Sequence, residues 1–433
     1  MCPKKWVIST ARCCIELISG QQLNKNHIDF LGDLSWSTLT TFACSGTTFA
    51  TGIIAARLLG PNNFGKIAII LSISQFIQFF LLFGTDNSSI HAIIGSKDQE
   101  ENKKNLSAPI YFLFFVSAIG LAISLLILLL PSNILKIDRE FVIGCYGLAL
   151  ALSFKLLFDG LMRGMGYFKQ QFIGRLIEAF FVPAIFLSLY FTNHHDYFSY
   201  ILALILGALS CSIYFGYSLF PFFTKFDNKK LKEQISHGKI FFQGSISAAL
   251  YVFLERLTIA KFMSFSNLGL FSVYLNSSSN LSNQLAQTIV NVFFPTAIKS
   301  QDKKGLISAV ERLIAIAFFP LVLVFFVLIY AIIRLLGSAY HINLVDELLF
   351  VLLAVFQLIN TIYTYLIAAL SKQYYNKRNI IFTIANIANL IAFFFLIFFS
   401  LFTIKFVVLV CLCNVLVNIA FQKILINKIN LQL

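Results

Sequence analysis

Charged side chains are scarce in this chain. They make up 12% of its 433 residues, about half the roughly 25% of an ordinary soluble domain. That excludes a water-soluble globule, because too little polar surface remains to cover one. Acidic residues are scarcer still, 19 against 33 Lys and Arg, for a formal net charge of +14. Long polar segments are missing as well. The longest internal break between apolar runs, 224–239, is under 20 residues, close to an ordinary loop. Any chemistry therefore belongs in or against a membrane. Strict two-residue alternation is absent, which excludes the roughly 10-residue strands of a membrane barrel. The eight cysteines, Cys2, Cys13, Cys14, Cys44, Cys145, Cys211, Cys411 and Cys413, include no CxxC pair. They read as reduced thiols or small buried side chains. His194 and His195 form a doublet without a third ligand, a polar turn rather than a metal site. No metal and no cofactor are expected. There is no DxD and no HExxH motif, and no long outer loop, so the features of a membrane glycosyltransferase or polymerase are missing. Residues 1–35 carry Lys4, Lys5, Arg12 and Lys25 but no signal-type apolar core with a cleavage site. The first apolar run is therefore expected to stay as an anchor.

What is abundant is apolar length. Hydrophobic residues make up 58% of the chain and mean hydropathy is +0.82. A spanning helix needs roughly 20 apolar residues. Candidate spans are 36–58, 67–84, 107–130, 141–162, 172–192, 198–222, 240–263, 268–293, 306–336, 344–371, 379–402 and 404–425. Without water to satisfy the backbone, these must be helices. The expected fold is an all-α membrane protein of about 12 transmembrane helices. With the N-terminus inside, cytoplasmic segments hold 24 Lys and Arg and outer segments six. The positive-inside rule thus puts both termini in the cytoplasm. The same pattern accounts for the basic charge, so nucleic acid is not an expected partner.

The halves repeat. Offset by 204 residues, Ala56-Arg57 through Asn63-Phe64-Gly65 falls on Ala260-Lys261 through Asn267-Leu268-Gly269. Each stretch joins the first two runs of a six-run set, which describes a parallel repeat. The expected organisation is a cytoplasmic tail over 1–35, a six-helix bundle over 36–223, a cytoplasmic linker over 224–239 and a second bundle over 240–433. The two pseudo-symmetric bundles are expected to leave a central cavity. Gly65 and Gly269 are expected in tight hairpins, and Pro183 and Pro320 at kinks. Tyr363, Tyr365, Tyr374 and Tyr375 read as an interfacial belt.

Charges inside spans are costly and so face protein or water. Lys155, Asp159 and Arg163 share one face of the fourth span at i, i+4 and i+8. They either line a cavity able to bind an anion, or Lys155 pairs internally with Asp159. Arg175 and Glu178 either join such a site or pair at i, i+3. Glu255 and Arg256 are the deepest, and their side chains diverge by about 100° on a helix. Either Arg256 faces an anionic substrate while Glu255 takes a proton or cation, or both hold helices together. The repeat-related Arg57 and Lys261 either ring an outer mouth or snorkel to the interface.

The stretch AARLLGPNNFGKIAIILSISQFIQFFLLFG (residues 55–84) resembles the start of the polysaccharide and O-antigen flippases. These belong to the multidrug/oligosaccharidyl-lipid/polysaccharide exporter superfamily. LERLTIAKFMSFSNLGLFSVYLNSSSNLSNQLAQ (254–287) resembles the start of their second half. There Glu255-Arg256 stands where Asp-Arg or Asp-Lys is common, and Phe271 replaces the usual Tyr. LMRGMGYFKQQFIGRLIEAFF (161–181) matches between the fourth and fifth spans. The resemblance runs over nearly the whole chain, carried by the order and spacing of the pieces. It implies two bundles around a central cavity, alternating access, and a substrate of undecaprenyl diphosphate bearing an oligosaccharide. That substrate would cross the bacterial inner membrane for O-antigen, lipopolysaccharide or capsule synthesis. The implied cationic site is Arg256, Lys155, Arg163, Arg57, Lys261 and Arg175. Ion-coupling candidates for H+ or Na+ are Glu255, Asp159 and Glu178. Implied partners are the lipid-linked oligosaccharide, membrane lipids and other polysaccharide-assembly proteins. The alternative is a multidrug exporter of the same superfamily, which would need carboxylates free to meet organic cations.

Overall fold

The structure is a computed structural model that describes residues 25–96, 98–129, 138–192, 195–299 and 303–432. Most of the N-terminal tail, with Cys2, Cys13, Cys14, Lys4, Lys5 and Arg12, lies outside the described residues, as do Lys97, Lys136 and His194. Among the described residues there is no strand. The helices, in chain order, are α1 (Lys25–Leu82), α2 (Thr85–Ile94), α3 (Gln99–Leu129), α4 (Arg139–Gly164), α5 (Phe168–Phe191), α6 (Tyr197–Leu219), α7 (Asn228–Phe262), α8 (Phe265–Lys299), α9 (Lys303–Leu336), α10 (Leu344–Leu370), α11 (Lys372–Phe398) and α12 (Ile404–Gln432). Each expected span overlaps one of these helices over most of its described residues. By length and composition, nine described helices are able to cross a membrane. α1 counts once among them although it carries the first two expected spans, and α7 and α8 are not among the nine. The chain is a multi-pass helical membrane protein. The expected linker is partly helical, since α7 already starts at Asn228.

α1 is broken where the sequence demands it. Gly60 takes φ 74° and ψ 170° ahead of Pro61. Glycine tolerates a positive φ and proline has no N–H for the helix ladder. α1 also ends at positive-φ positions, Phe83 and Gly84.

The described residues gather in two compact units. One takes the chain up to Thr51 with Ser74–His194 and Phe198–Gln243. The other takes Gly52–Ile73, His195–Tyr197 and Gly244–Leu433.

In the first unit, α4 is the enclosed helix. Gly160 and Gly164, four residues apart, let α2 approach it. A Cβ at Gly160 would stand 3.2 Å from the Asp86 carbonyl oxygen, and one at Gly164 would stand 3.3 Å from Ile93. Small residues at this spacing are how helices approach closely in lipid. α5 and α6 interlock in the same manner, with Gly174 under the Phe215 ring and Gly207 under Val182. The segment before α7 and the first turns of α7 are tied to α3. Thr224 N donates to Ser107 Oγ at 2.9 Å and Gln234 Nε2 to Asn105 O at 2.7 Å. Lys230 Nζ reaches Glu101 at 2.6 Å. This hydrogen bond to Glu101 raises the Lys230 pKa above its ordinary value.

In the second unit, α10 is central and packs against α8, α9, α11 and α12. Tyr274 stacks on Phe350 and its hydroxyl donates to Tyr340 O at 3.1 Å. The Tyr340 hydroxyl in turn donates to Ala56 O at 2.7 Å. Tyr363, expected at an interface, is instead fully buried on α10 at 2% exposure, so it is packing.

Gly65 and Gly269 do not make the hairpins. Both lie inside helices, and the break is at Gly60. A Cβ at Gly65 would overlap the Phe265 carbonyl oxygen and stand 3.1 Å from Gly269 N. A Cβ at Gly269 would overlap the Pro61 carbonyl oxygen and stand 3.1 Å from Gly65 N. Pro61 and Gly65 map onto Phe265 and Gly269 at the 204-residue offset. The contact is thus reciprocal between repeat-related positions, and glycine is required by the helix crossing itself. α5 and α9 run through Pro183 and Pro320 as continuous helices.

Candidate functional site

The charged residues of the first unit meet across a tight turn. α4 closes with Gly166 at φ 73°. Tyr167 N donates to Met162 O at 2.9 Å and Gly166 N to Arg163 O at 3.1 Å. This pair of bonds, with glycine left-handed, is a Schellman cap. It folds α5 back so that Arg175 and Glu178 face the α4 stripe. Asp159, with 1% of its side chain exposed, is gripped by Arg175 through two bonds, Nε at 3.0 Å and Nη2 at 2.9 Å. Gln171 Nε2 donates to it at 3.0 Å, and Arg163 lies 3.5 Å away. Lys155 does not pair with Asp159. It crosses to Glu178 at 2.7 Å. Arg175 and Glu178 likewise pair across helices rather than with each other. Three cations and two carboxylates thus form two paired groups, Asp159 with Arg175 and Arg163, and Glu178 with Lys155. Bidentate guanidinium contact is the strongest and most directional of such pairings.

The second unit is built differently. The ion pairs whose two partners are both described lie between residues 100 and 233, in the first unit. Glu255 is buried at 3% exposure. It accepts from Tyr251 Oη at 2.8 Å and from Cys411 Sγ at 3.1 Å. Asn389 Nδ2 donates to the same tyrosine oxygen at 2.6 Å. Arg256, its sequence neighbour, points elsewhere. Its Nη1 reaches Ala68 O at 3.4 Å and its buried Nε has no hydrogen-bond partner. Glu255 and Arg256 form no ion pair. Arg57 and Lys261 are both exposed, and Lys261 Nζ stands 5.5 Å from the Phe262 ring. Five of the nine candidate residues are therefore ion-paired within the first unit, and the other four belong to the second unit and have no ion pair among the described residues.

Sequence reasoning missed the neutral polar residues. Within the second unit, Asn414 Nδ2 donates to Asn386 Oδ1 at 3.3 Å, and Asn418 Nδ2 to Asn414 Oδ1 at 2.9 Å. Ser279 Oγ donates to Gln357 Oε1 at 3.0 Å. The available signal was spacing. Cys411, Asn414, Asn418 and Gln422 recur at three and four residues on α12, and Arg378, Asn386 and Asn389 are spaced eight and three residues apart along α11, so each set lies on one helical face.

The family profile described as "Polysaccharide biosynthesis protein" matches residues 54–346, more than half of the chain. This chain belongs to that family. No curated protein sequence matches it. Among solved structures, it is similar to an inward-facing multidrug resistance MATE family transporter of the MOP superfamily. That match has TM-score 0.62 and 13% identity, over 90% of this chain and 98% of the other. An outward-facing structure of a MATE family transporter matches with TM-score 0.58 and 14% identity, over 91% and 94%. A MOP superfamily transporter from Pyrococcus furiosus, described as having a binding pocket of reversed polarity, matches with TM-score 0.52 and 11% identity, over 92% and 96%. At such identities the likeness is one of fold. This polysaccharide biosynthesis protein has the fold of the MOP-superfamily transporters. The three solved structures are of transporters.

Proposed function

We propose that this polysaccharide biosynthesis protein is a flippase. Its cargo is an undecaprenyl-diphosphate-linked oligosaccharide, turned from the inner to the outer leaflet of the bacterial inner membrane by alternating access. Both termini lie in the cytoplasm, and the product feeds O-antigen or capsule assembly by partner proteins. One observation carries this reading. Among the described residues, Arg256 has no carboxylate partner and its buried Nε has no acceptor. An unpaired buried cation is costly, and the missing counter-charge is what an anionic cargo supplies. A diphosphate cannot cross hydrocarbon unaided, so a cation free to meet it is a requirement of the task. Arg57 and Lys261 join Arg256 in this role. Lys155, Arg163 and Arg175 are already paired with Glu178 and Asp159, so they support the site rather than bind the cargo.

Glu255 is the residue we assign to ion coupling, because no cation holds it. Asp159 and Glu178 are held by Arg175, Arg163 and Lys155. The same fact weighs against multidrug export in this chain, since an organic cation would find those carboxylates occupied. In cells, Arg256→Ala abolishes surface polysaccharide while the protein remains in the membrane at normal level. Normal polysaccharide in that variant removes Arg256 from the site, and robust efflux of cationic dyes by the wild type favours the exporter reading.

A further inference from the structure

One further cation in the second unit has no counter-charge. Arg378 lies in the second turn of α11 and is half-buried. Its Nη1 donates to Asn379 Oδ1 at 3.2 Å, and its guanidinium carbon stands 4.7 Å from the Phe382 ring centre. From α12, the Gln422 carboxamide turns its oxygen toward the arginine. That oxygen accepts from Nε at 3.2 Å, and the carboxamide lies 3.0 Å from Thr364 Oγ1 of α10, whose hydroxyl donates to Asn360 O at 2.8 Å. The Asn360 side chain of α10 is 3.0 Å from the same carboxamide. α11 and α12 therefore meet the guanidinium with neutral groups, and α10 holds the Gln422 carboxamide in place. Among the described residues no carboxylate oxygen lies within 4.0 Å of it, whereas three of the first unit's intramembrane cations, Lys155, Arg163 and Arg175, are paired.

Guanidinium presents five N–H donors in a rigid fork. Here Nη1 and Nε are used by amides, and Nη2 has no partner. Amide oxygens orient the fork but do not neutralise it. A planar pair of anionic oxygens does both, which is why arginine is favoured for phosphate over lysine. Lys372 and Lys377 stand nearby in the sequence, on the side that the charge pattern makes cytoplasmic. We propose that Arg378, set by Asn379, Gln422 and Thr364 and flanked by Asn360, is a phosphoryl-binding site at the cytoplasmic end of the second unit. It takes the diphosphate of the cargo as it enters, ahead of Arg256. The cargo as the source of that phosphoryl group rests on the flippase reading. A phospholipid headgroup carries the same chemistry.

The test uses the full chain in nanodiscs of phosphatidylcholine, with radiolabelled undecaprenyl diphosphate lacking sugar as the probe. Arg378→Gln weakens binding roughly ten- to a hundredfold, as loss of charge-assisted hydrogen bonds does. Arg378→Lys, which keeps the charge without the fork, loses less. Unchanged binding in Arg378→Gln, with the wild type binding normally, overturns the site and leaves the flippase reading standing. Should the wild type not bind the probe, the flippase reading fails. The site is then judged by phosphatidylglycerol that co-purifies from mixed nanodiscs, counted by lipid mass spectrometry. Its loss in Arg378→Gln upholds a phosphoryl site for a headgroup, and its retention overturns one. If Arg378→Gln does not elute as a folded species, Arg378→Lys and Asn360→Ala decide the matter by the same readouts.

Discussion

Asp159 is where the first unit's charges converge. It is almost wholly enclosed, it takes both prongs of Arg175, and it receives Gln171 and Arg163 besides. Removing one partner of such a pair strands the other in a low-dielectric setting. Arg175→Ala is therefore expected to destabilise the protein by about 3–5 kcal/mol, read as a lower thermal midpoint of the purified chain. Adding Asp159→Asn should recover part of that loss, because the stranded charge goes with it. A neutral Arg175→Ala would show that the network carries no stability. The face shared by Lys155, Asp159 and Arg163 was legible from spacing alone. Which carboxylate each cation takes was not, because the pairing crosses the turn at Gly166. The amides around Asn386 and Gln422 escaped for another reason. They are uncharged, and averaging hydropathy over a span hides a polar residue that recurs every three or four positions.

At the scale of elements, glycine was the informative residue and the easiest to misread. Gly60 with Pro61 marks the real break in α1. Gly65 and Gly269 stood out through the 204-residue offset, yet a sequence cannot tell a turn glycine from one where two backbones touch. Both remove a Cβ, one for conformation and the other for space. The reciprocal crossing of Gly65 and Gly269 gives a direct check. Gly65→Ala or Gly269→Ala should cost about 1–3 kcal/mol, as overpacking does, because each new methyl meets a backbone oxygen that cannot yield cheaply. Gly46→Ala is the control, since a Cβ there would meet nothing within 4 Å. Equal thermal midpoints for all three variants would mean that the crossing is loose.

Across the whole molecule, apolar run length was enough to anticipate a helical multi-pass protein, because lipid leaves the backbone few alternatives. It could not show how charge is shared between the units. Both contain basic residues at similar depth in the sequence. Only the structure separates the first unit, where cations are held by carboxylates, from the second, where Arg256 and Arg378 are held by neutral groups. That separation is the basis for assigning the cargo's phosphates to the second unit. The most direct measurement is flipping itself. Purified protein is placed in liposomes loaded with undecaprenyl-diphosphate oligosaccharide, and arrival of glycan at the opposite leaflet is followed with a lectin. The wild type should deliver the glycan, and Arg256→Ala should do so roughly ten- to a hundredfold more slowly. Equal rates for the two, or no delivery by the wild type, would contradict the account.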